Sequence, residues 1–178
     1  DKFEIQSGDY FVENFDDASH FTASTTVPDG WLVTGSSALP AREQCGMYYT
    51  GFNANSGDYC LNSYHYAQAR DQLVYTPIMN LAAGKECKIE FYVYAPAGSP
   101  ANLFYNNITV KAGSAQTAEA QTIEVGAISA AVSSWTKFEF AFTPETEGEY
   151  CFSLAYTMSV PTNAGRDHGW VAIDDVVI

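Results

Sequence analysis

Apolar and polar residues alternate most strictly from Lys137 to Phe142, where Phe138, Phe140 and Phe142 point one way and Glu139 and Ala141 the other. A period of two marks a half-buried antiparallel strand, because successive side chains leave opposite faces of the chain. The same period runs through Ile89, Phe91 and Val93 and through Phe152, Leu154 and Tyr156, while Phe104, Ile108 and Val110 predict a strand with a local irregularity. Proline and glycine bound these runs at 96–100, 144–148 and 161–165, the punctuation of a two-sheet sandwich. In LVYTPIMNL, residues 73–81, Pro77 has no N–H to give a ladder, so the strand must stop there or lie at an edge, as at a sheet corner. Residues 112–120 are Ala-rich but carry Gly113 and Ser114 and no apolar stripe, and so read as a loop. A sandwich core drawing on both ends of the chain needs the first and last strands side by side, which fits the apolar segments Tyr10 to Phe15 and Trp170 to Ile178.

With 178 residues and 47% of them apolar, the chain can bury one substantial core, so a single all-β domain over residues 1–178 is the reading. A formal charge of −13 leaves no basic stripe for a phosphate backbone, which argues against nucleic acid and anionic membrane. No apolar run reaches the roughly 20 residues that span a bilayer, so membrane insertion is not expected. The chain opens on Asp1, which suggests a mature or excised portion of a longer protein.

Catalytic motifs are absent: there is no nucleophile elbow, zinc-binding helix or phosphate-binding loop, and His20, His65 and His168 are widely spaced. Glu90 and Glu139 project from strands on the side away from the core and would make a glycosidase-like pair if those strands were neighbours, although two solvated surface glutamates are the plainer reading. Trp31, Trp135 and Trp170 read as core anchors rather than sugar-stacking platforms. Tyr48, Tyr49, Tyr64 and Tyr66 lie in turn-rich sequence, and Tyr92 and Tyr94 point opposite to Phe91 and Val93; together these tyrosines are the candidate ligand-binding surface. The four cysteines, Cys45, Cys60, Cys87 and Cys151, have no zinc-site spacing. Cys45 and Cys60 flank one loop that a disulfide could close; buried free thiols are the alternative.

The segments FVENFDD, PDGW, SGDYCLNSY, LVYTPIMNL, KIEFYVYA and GWVAIDDVVI, in this order, resemble the cleaved-adhesin and choice-of-anchor J domains of secreted Bacteroidetes proteins. Those domains are relatives of MAM-type, galactose-binding-like jelly rolls. The resemblance covers nearly the whole chain and implies an antiparallel two-sheet jelly-roll β-sandwich, found as a bacterial secreted or cell-surface accessory or adhesin module. It also implies a structural calcium, with Glu13, Asp16 and Asp174 at the matching positions.

Chemistry bears on the same residues. Asp174 and Asp175 interrupt a last strand in which Val171, Ile173 and Val177 would take one face and Trp170, Ala172, Val176 and Ile178 the other. A carboxylate held near the core needs a partner, and with Lys and Arg scarce a hard cation shared with Glu13 and Asp16 is a reasonable one. Asp58 is a weaker fourth candidate. The residues after Trp31 and Leu32, VTGSSALPAREQ, lack an Asp-rich loop, which makes a second calcium doubtful. The resulting expectation is a non-catalytic extracellular domain that binds glycan or a host or cell-surface protein as part of a longer chain. The rival readings are a spacer without a ligand and, behind it, a glycosidase.

Overall fold

The computed structural model describes residues 11–22, 26–35, 41–46, 52–66, 70–96, 105–158 and 168–178. Among these are twelve strands: β1 (Val12–Glu13), β2 (Leu32–Gly35), β3 (Ala41–Gln44), β4 (Tyr59–Tyr66), β5 (Arg70–Tyr75), β6 (Met79–Leu81), β7 (Cys87–Ala95), β8 (Tyr105–Gly113), β9 (Ile123–Ile128), β10 (Val132–Phe142), β11 (Gly148–Met158) and β12 (His168–Val177). They form two antiparallel sheets, the first ordered β10-β7-β12-β4-β3 with β1 on β12, the second β2-β5-β11-β8-β9 with β6 on β11. The sandwich expected from the alternating pattern is thus present. Helix is confined, among the described residues, to the short 3₁₀ turns Ala18–His20 and Ala118–Ala120. Residues 112–120 were expected as a loop, but Ala112 and Gly113 extend β8 and Ala118–Ala120 is helical.

The core lies between the sheets. From the first come Ile89, Phe91, Val93, Val171 and Ile173, and from the second Val74, Ile108, Val110, Phe152 and Leu154, each almost wholly buried. Phe138, Phe140 and Phe142 do face inward, but Phe138 and Phe140 are only half-buried because they sit on the outermost strand of the first sheet. A polar bridge crosses the core: the Ser63 hydroxyl donates to Gln72 Oε1 at 2.5 Å. Both residues are buried, where an unmet hydroxyl or amide would cost about 1–3 kcal/mol.

Pro77 interrupts its strand as its chemistry requires. β5 ends at Tyr75 and β6 resumes at Met79, both on β11. In the gap, the Thr76 amide donates to the Phe152 carbonyl at 2.9 Å and the Thr76 hydroxyl accepts the Phe152 amide at 3.0 Å. A side chain therefore stands in for the ladder beside a residue with no N–H.

The first and last strands are neighbours. Val12 is in register with Val177 and Glu13 with Val176, and the Phe11 amide donates to the Ile178 carbonyl at 2.8 Å. The last strand departs from simple alternation. Asp175 has φ of 49°, and the register slips between Asp174 and Val177. This one-residue bulge exchanges the faces beyond it. Val176 is completely buried and Ile178 nearly so, while Val177 sits opposite Glu90 on the outer side. The expected grouping of Val177 with Ile173 therefore fails at Asp175.

Candidate functional site

The bulge decides what the acidic residues can do. Asp174 shares the outer face of the first sheet with its register partner Tyr92, whereas Glu13 shares the inner side with Val176. The two carboxylates thus leave the sheet on opposite faces and do not form one pocket. Asp174 is nevertheless fully buried, because the segment 52–58 folds across it. Its Oδ2 accepts the amides of Asn55 and Ser56 at 2.9 and 3.2 Å, and its Oδ1 accepts the Asp175 amide at 2.8 Å. Asp175 continues the grip, accepting from Asn55 Nδ2 and the Ser56 hydroxyl, both at 2.6 Å. Burial pushes the Asp174 carboxyl up to about 7, against the pull of the Ser56 amide.

Glu13 and Asp16 likewise accept from N–H donors. Glu13 accepts the Phe15 amide at 2.6 Å and meets His20 Nδ1 at 2.9 Å. Asp16 accepts the amides of Asp58 and Tyr59 at 2.9 and 3.1 Å, and Asp58 itself is exposed. Gly57 lets the chain pass this close, since a Cβ there would collide with the Asp16 carboxylate and its φ is +56°. Among the described residues no three His, Cys, Asp or Glu side chains converge as a metal would require. These side chains do not fit a calcium centre, which needs six to eight oxygens turned inward.

The positive charge in this acidic seam belongs to Arg42. Its guanidinium donates to the Phe15 and Asp16 carbonyls at 2.5 and 2.9 Å and lies between the rings of Tyr59 and Phe21, 3.4 and 4.9 Å from their centroids. Phe15 is held with φ of 62°, a conformation costing a non-glycine residue about 1–2 kcal/mol. Its complete burial, the Glu13 acceptor and the Arg42 donor maintain it there.

Segment 52–58 also builds an aromatic surface. Phe52 at its start stacks on Tyr94 of β7 with centroids 4.6 Å apart and meets Trp135 of β10 edge-on at 6.1 Å, while Tyr94 and Trp135 are 5.8 Å apart. The Trp135 indole donates to the Asn53 carbonyl at 2.8 Å, fixing strand to segment. Tyr92 and Tyr94 take the outward side that alternation assigned them. Trp31 is a buried core anchor, as expected, and packs edge-on to Phe15 at 5.7 Å. Trp135 is not: Thr136 is in register with the inward Val93, so Trp135 faces out with Lys137 and Glu139. Its parity with Glu139 carried that signal. Trp170 is half-buried, on the side of its strand shared with Ala172. Nothing periodic in the sequence marks Phe52. Tyr48 and Tyr49 lie outside the described residues, and Tyr64 and Tyr66 are placed on β4 by their backbone, with side chains outside the description.

Glu90 and Glu139 do come together, as direct register partners on β7 and β10. Each is paired diagonally with a lysine, Lys88 with Glu139 at 2.6 Å and Lys137 with Glu90. The Lys88 hydrogen bond holds the Glu139 carboxyl below its ordinary range. A glycosidase acid requires the opposite shift. Like charges facing across the pair are thus offset by two diagonal opposite charges.

All four cysteines are free thiols. Cys60 is buried with its thiol hydrogen-bonded to that of Cys45, and this contact together with burial pushes it well above the usual range. Burial raises Cys87 and Cys151 to about 11.

The chain is thus a two-sheet jelly roll with aromatic residues gathered on one outer face. The sequence profile of the family described as the carbohydrate binding domain matches residues 9–151, most of the chain, and the chain belongs to that family. Solved structures agree on the fold. The K1 cleaved adhesin domain of Lys-gingipain from Porphyromonas gingivalis W83 is 13% identical, with a TM-score of 0.65 over 96% of this chain and 97% of that one. The K2 cleaved adhesin domain of Lys-gingipain is 14% identical, with a TM-score of 0.64 over 94% and 96%. TmCBM61, solved in complex with β-1,4-galactotriose, is 16% identical, with a TM-score of 0.57 over 93% and 98%. None of the curated proteins matches the chain. The resemblance to cleaved-adhesin domains read from the sequence therefore holds at the level of fold. No helix among the described residues is long and apolar enough to cross a membrane.

Proposed function

We propose that this domain binds a glycan on the outer face of the β7–β10 pair and performs no chemistry on it. The observation that carries the proposal is the meeting of Phe52, Tyr94 and Trp135 at the surface, three rings within 6.1 Å of one another. Aromatic faces suit the apolar C–H faces of pyranose rings, and hydroxyl groups need polar partners beside them. Tyr92, opposite Lys137, and the Lys137–Glu90 pair lie next along the same strands and supply such partners. Family membership supports a carbohydrate ligand, and the galactotriose complex of TmCBM61 makes a β-linked galactan a sensible first probe. The same reading places the domain outside the cell as one unit of a longer bacterial surface protein, in keeping with its likeness to adhesin domains. Attachment to a host glycoprotein would use the same surface.

The test is a glycan array on the intact domain, followed by calorimetry with the strongest hit on the wild type and on Trp135→Ala and Tyr94→Ala. Each substitution is expected to weaken binding at least tenfold without changing the far-ultraviolet circular dichroism. Undiminished binding by both variants would overturn the proposed surface, and an array without a hit would overturn the proposal and favour a spacer. Release of sugar from aryl glycosides, abolished by Glu139→Gln, would show a glycosidase instead.

A further inference from the structure

The one thiol–thiol contact among the described residues joins Cys45 to Cys60, and the strand register explains it. Glu43 is paired with Cys60 and Gln44 with Tyr59, and the Cys45 amide extends the ladder by donating to the Asp58 carbonyl at 2.8 Å. Cys45 alternates with Glu43 and therefore leaves the pair on the same face as Cys60. The two thiols meet there. A disulfide needs two sulfurs close together with their side chains turned toward each other, and these two positions, diagonal in register, bring their thiols into contact. Cys87 and Cys151 make no such contact: burial alone raises the Cys87 thiol, and the Cys151 sulfur accepts from Gln121 Nε2 at 3.2 Å. Access is also graded: Cys45 is half-buried and can reach a soluble oxidant, whereas Cys60 is wholly buried and can reach only Cys45.

We propose that Cys45 and Cys60 are an oxidisable pair, closed into a disulfide by a low-molecular-weight disulfide, which staples both ends of the segment that crosses the outer face of the first sheet. The Cys45 thiolate attacks the oxidant's disulfide, forming a mixed disulfide and releasing one thiolate. The Cys60 sulfur then attacks Cys45 Sγ, gives up its proton and expels the second thiolate. Two protein thiols are oxidised while one external disulfide is reduced to two thiols. The closed ring contains Asn55 and Ser56, held by Asp174 and Asp175, and also Phe52. The bond therefore secures the cover of Asp174 whether or not a glycan binds, and any effect on glycan affinity rests on the proposed function of Phe52.

The reduced domain is incubated with oxidised glutathione, quenched by alkylation and mapped without reduction. The expected product is a Cys45–Cys60 cross-linked peptide, two hydrogens lighter than its reduced parts, with Cys87 and Cys151 recovered uncross-linked and the buried Cys151 alkylated only after unfolding. Closing a ring of about fifteen residues should raise the melting temperature of the oxidised domain by roughly 5–10 °C, an increase reversed by dithiothreitol and absent in Cys45→Ser. Glutathione retained on Cys45 with Cys60 still reduced, or a cross-link through Cys87 or Cys151, would overturn the proposal.

Discussion

The Trp135 indole N–H donates to the Asn53 carbonyl at 2.8 Å, joining a strand of the first sheet to the segment that crosses it. This bond sets Phe52 against Tyr94, so the aromatic surface consists of two strand residues and one segment residue locked in a single arrangement. Trp135→Phe keeps a ring but removes the donor. It should cost about 1 kcal/mol in stability and weaken glycan binding a few-fold, well short of the loss in Trp135→Ala. Calorimetry on both variants checks this order.

Arg42 ties the acidic seam together through backbone carbonyls and aromatic rings. Its two carbonyl acceptors and two flanking rings are all lost in Arg42→Met, which should lower stability by about 2–4 kcal/mol in urea unfolding. Added calcium should not restore it. Excess EDTA should leave the melting temperature of the wild-type domain unchanged; a fall of several degrees reversed by calcium would show that a metal holds the seam.

Asp174 makes stability depend on pH in a definite sense. Its carboxyl is raised from 3.8 to about 7 by burial, so the folded state binds its proton more tightly than the unfolded chain. The associated stabilisation is complete below about pH 4 and is lost as pH rises through 7. In EDTA, wild type should therefore gain on Asp174→Asn as pH is lowered from 8 to 5, by on the order of a few kcal/mol. Melting curves of the two proteins across that range provide the check, and parallel curves would contradict the assignment.

Much of the architecture was legible because alternation is a local property. The inward phenylalanines of β10, the outward Tyr92 and Tyr94 and the break at Pro77 all follow from residue order and the chemistry of single residues. The candidate site was legible only in part. A left-handed Asp175 reverses the alternation of Val176 and Val177, and no pattern of apolar residues announces that reversal. It separates Asp174 from Glu13, which sequence proximity of the paired termini had suggested would share one cation. Phe52 was invisible for a different reason: its place depends on amides of Asn55 and Ser56 folding back onto a strand more than a hundred residues away. Trp135 was readable by parity with Lys137 and Glu139, but the preference of tryptophan for interiors pointed the other way.

Thr76 gives a separate test of the fold. Thr76→Val keeps the shape of a completely buried side chain but removes the oxygen that accepts the Phe152 amide. An unmet buried N–H should cost about 1–3 kcal/mol, measured by urea unfolding, with glycan binding unchanged because Thr76 belongs to the second sheet's corner. Thr76→Ser, which retains the hydroxyl, should lose much less.

The central claim, that the outer face of β7 and β10 is where glycan binds, is tested most directly by amide and indole chemical-shift mapping with the strongest array hit. The expected perturbations centre on the Trp135 indole N–H and the amides of Phe52, Asn53, Tyr92 and Tyr94, with the second sheet unmoved. Perturbations gathered on β5, β11 and β8 instead, with the Trp135 indole signal unchanged at saturation, would contradict it.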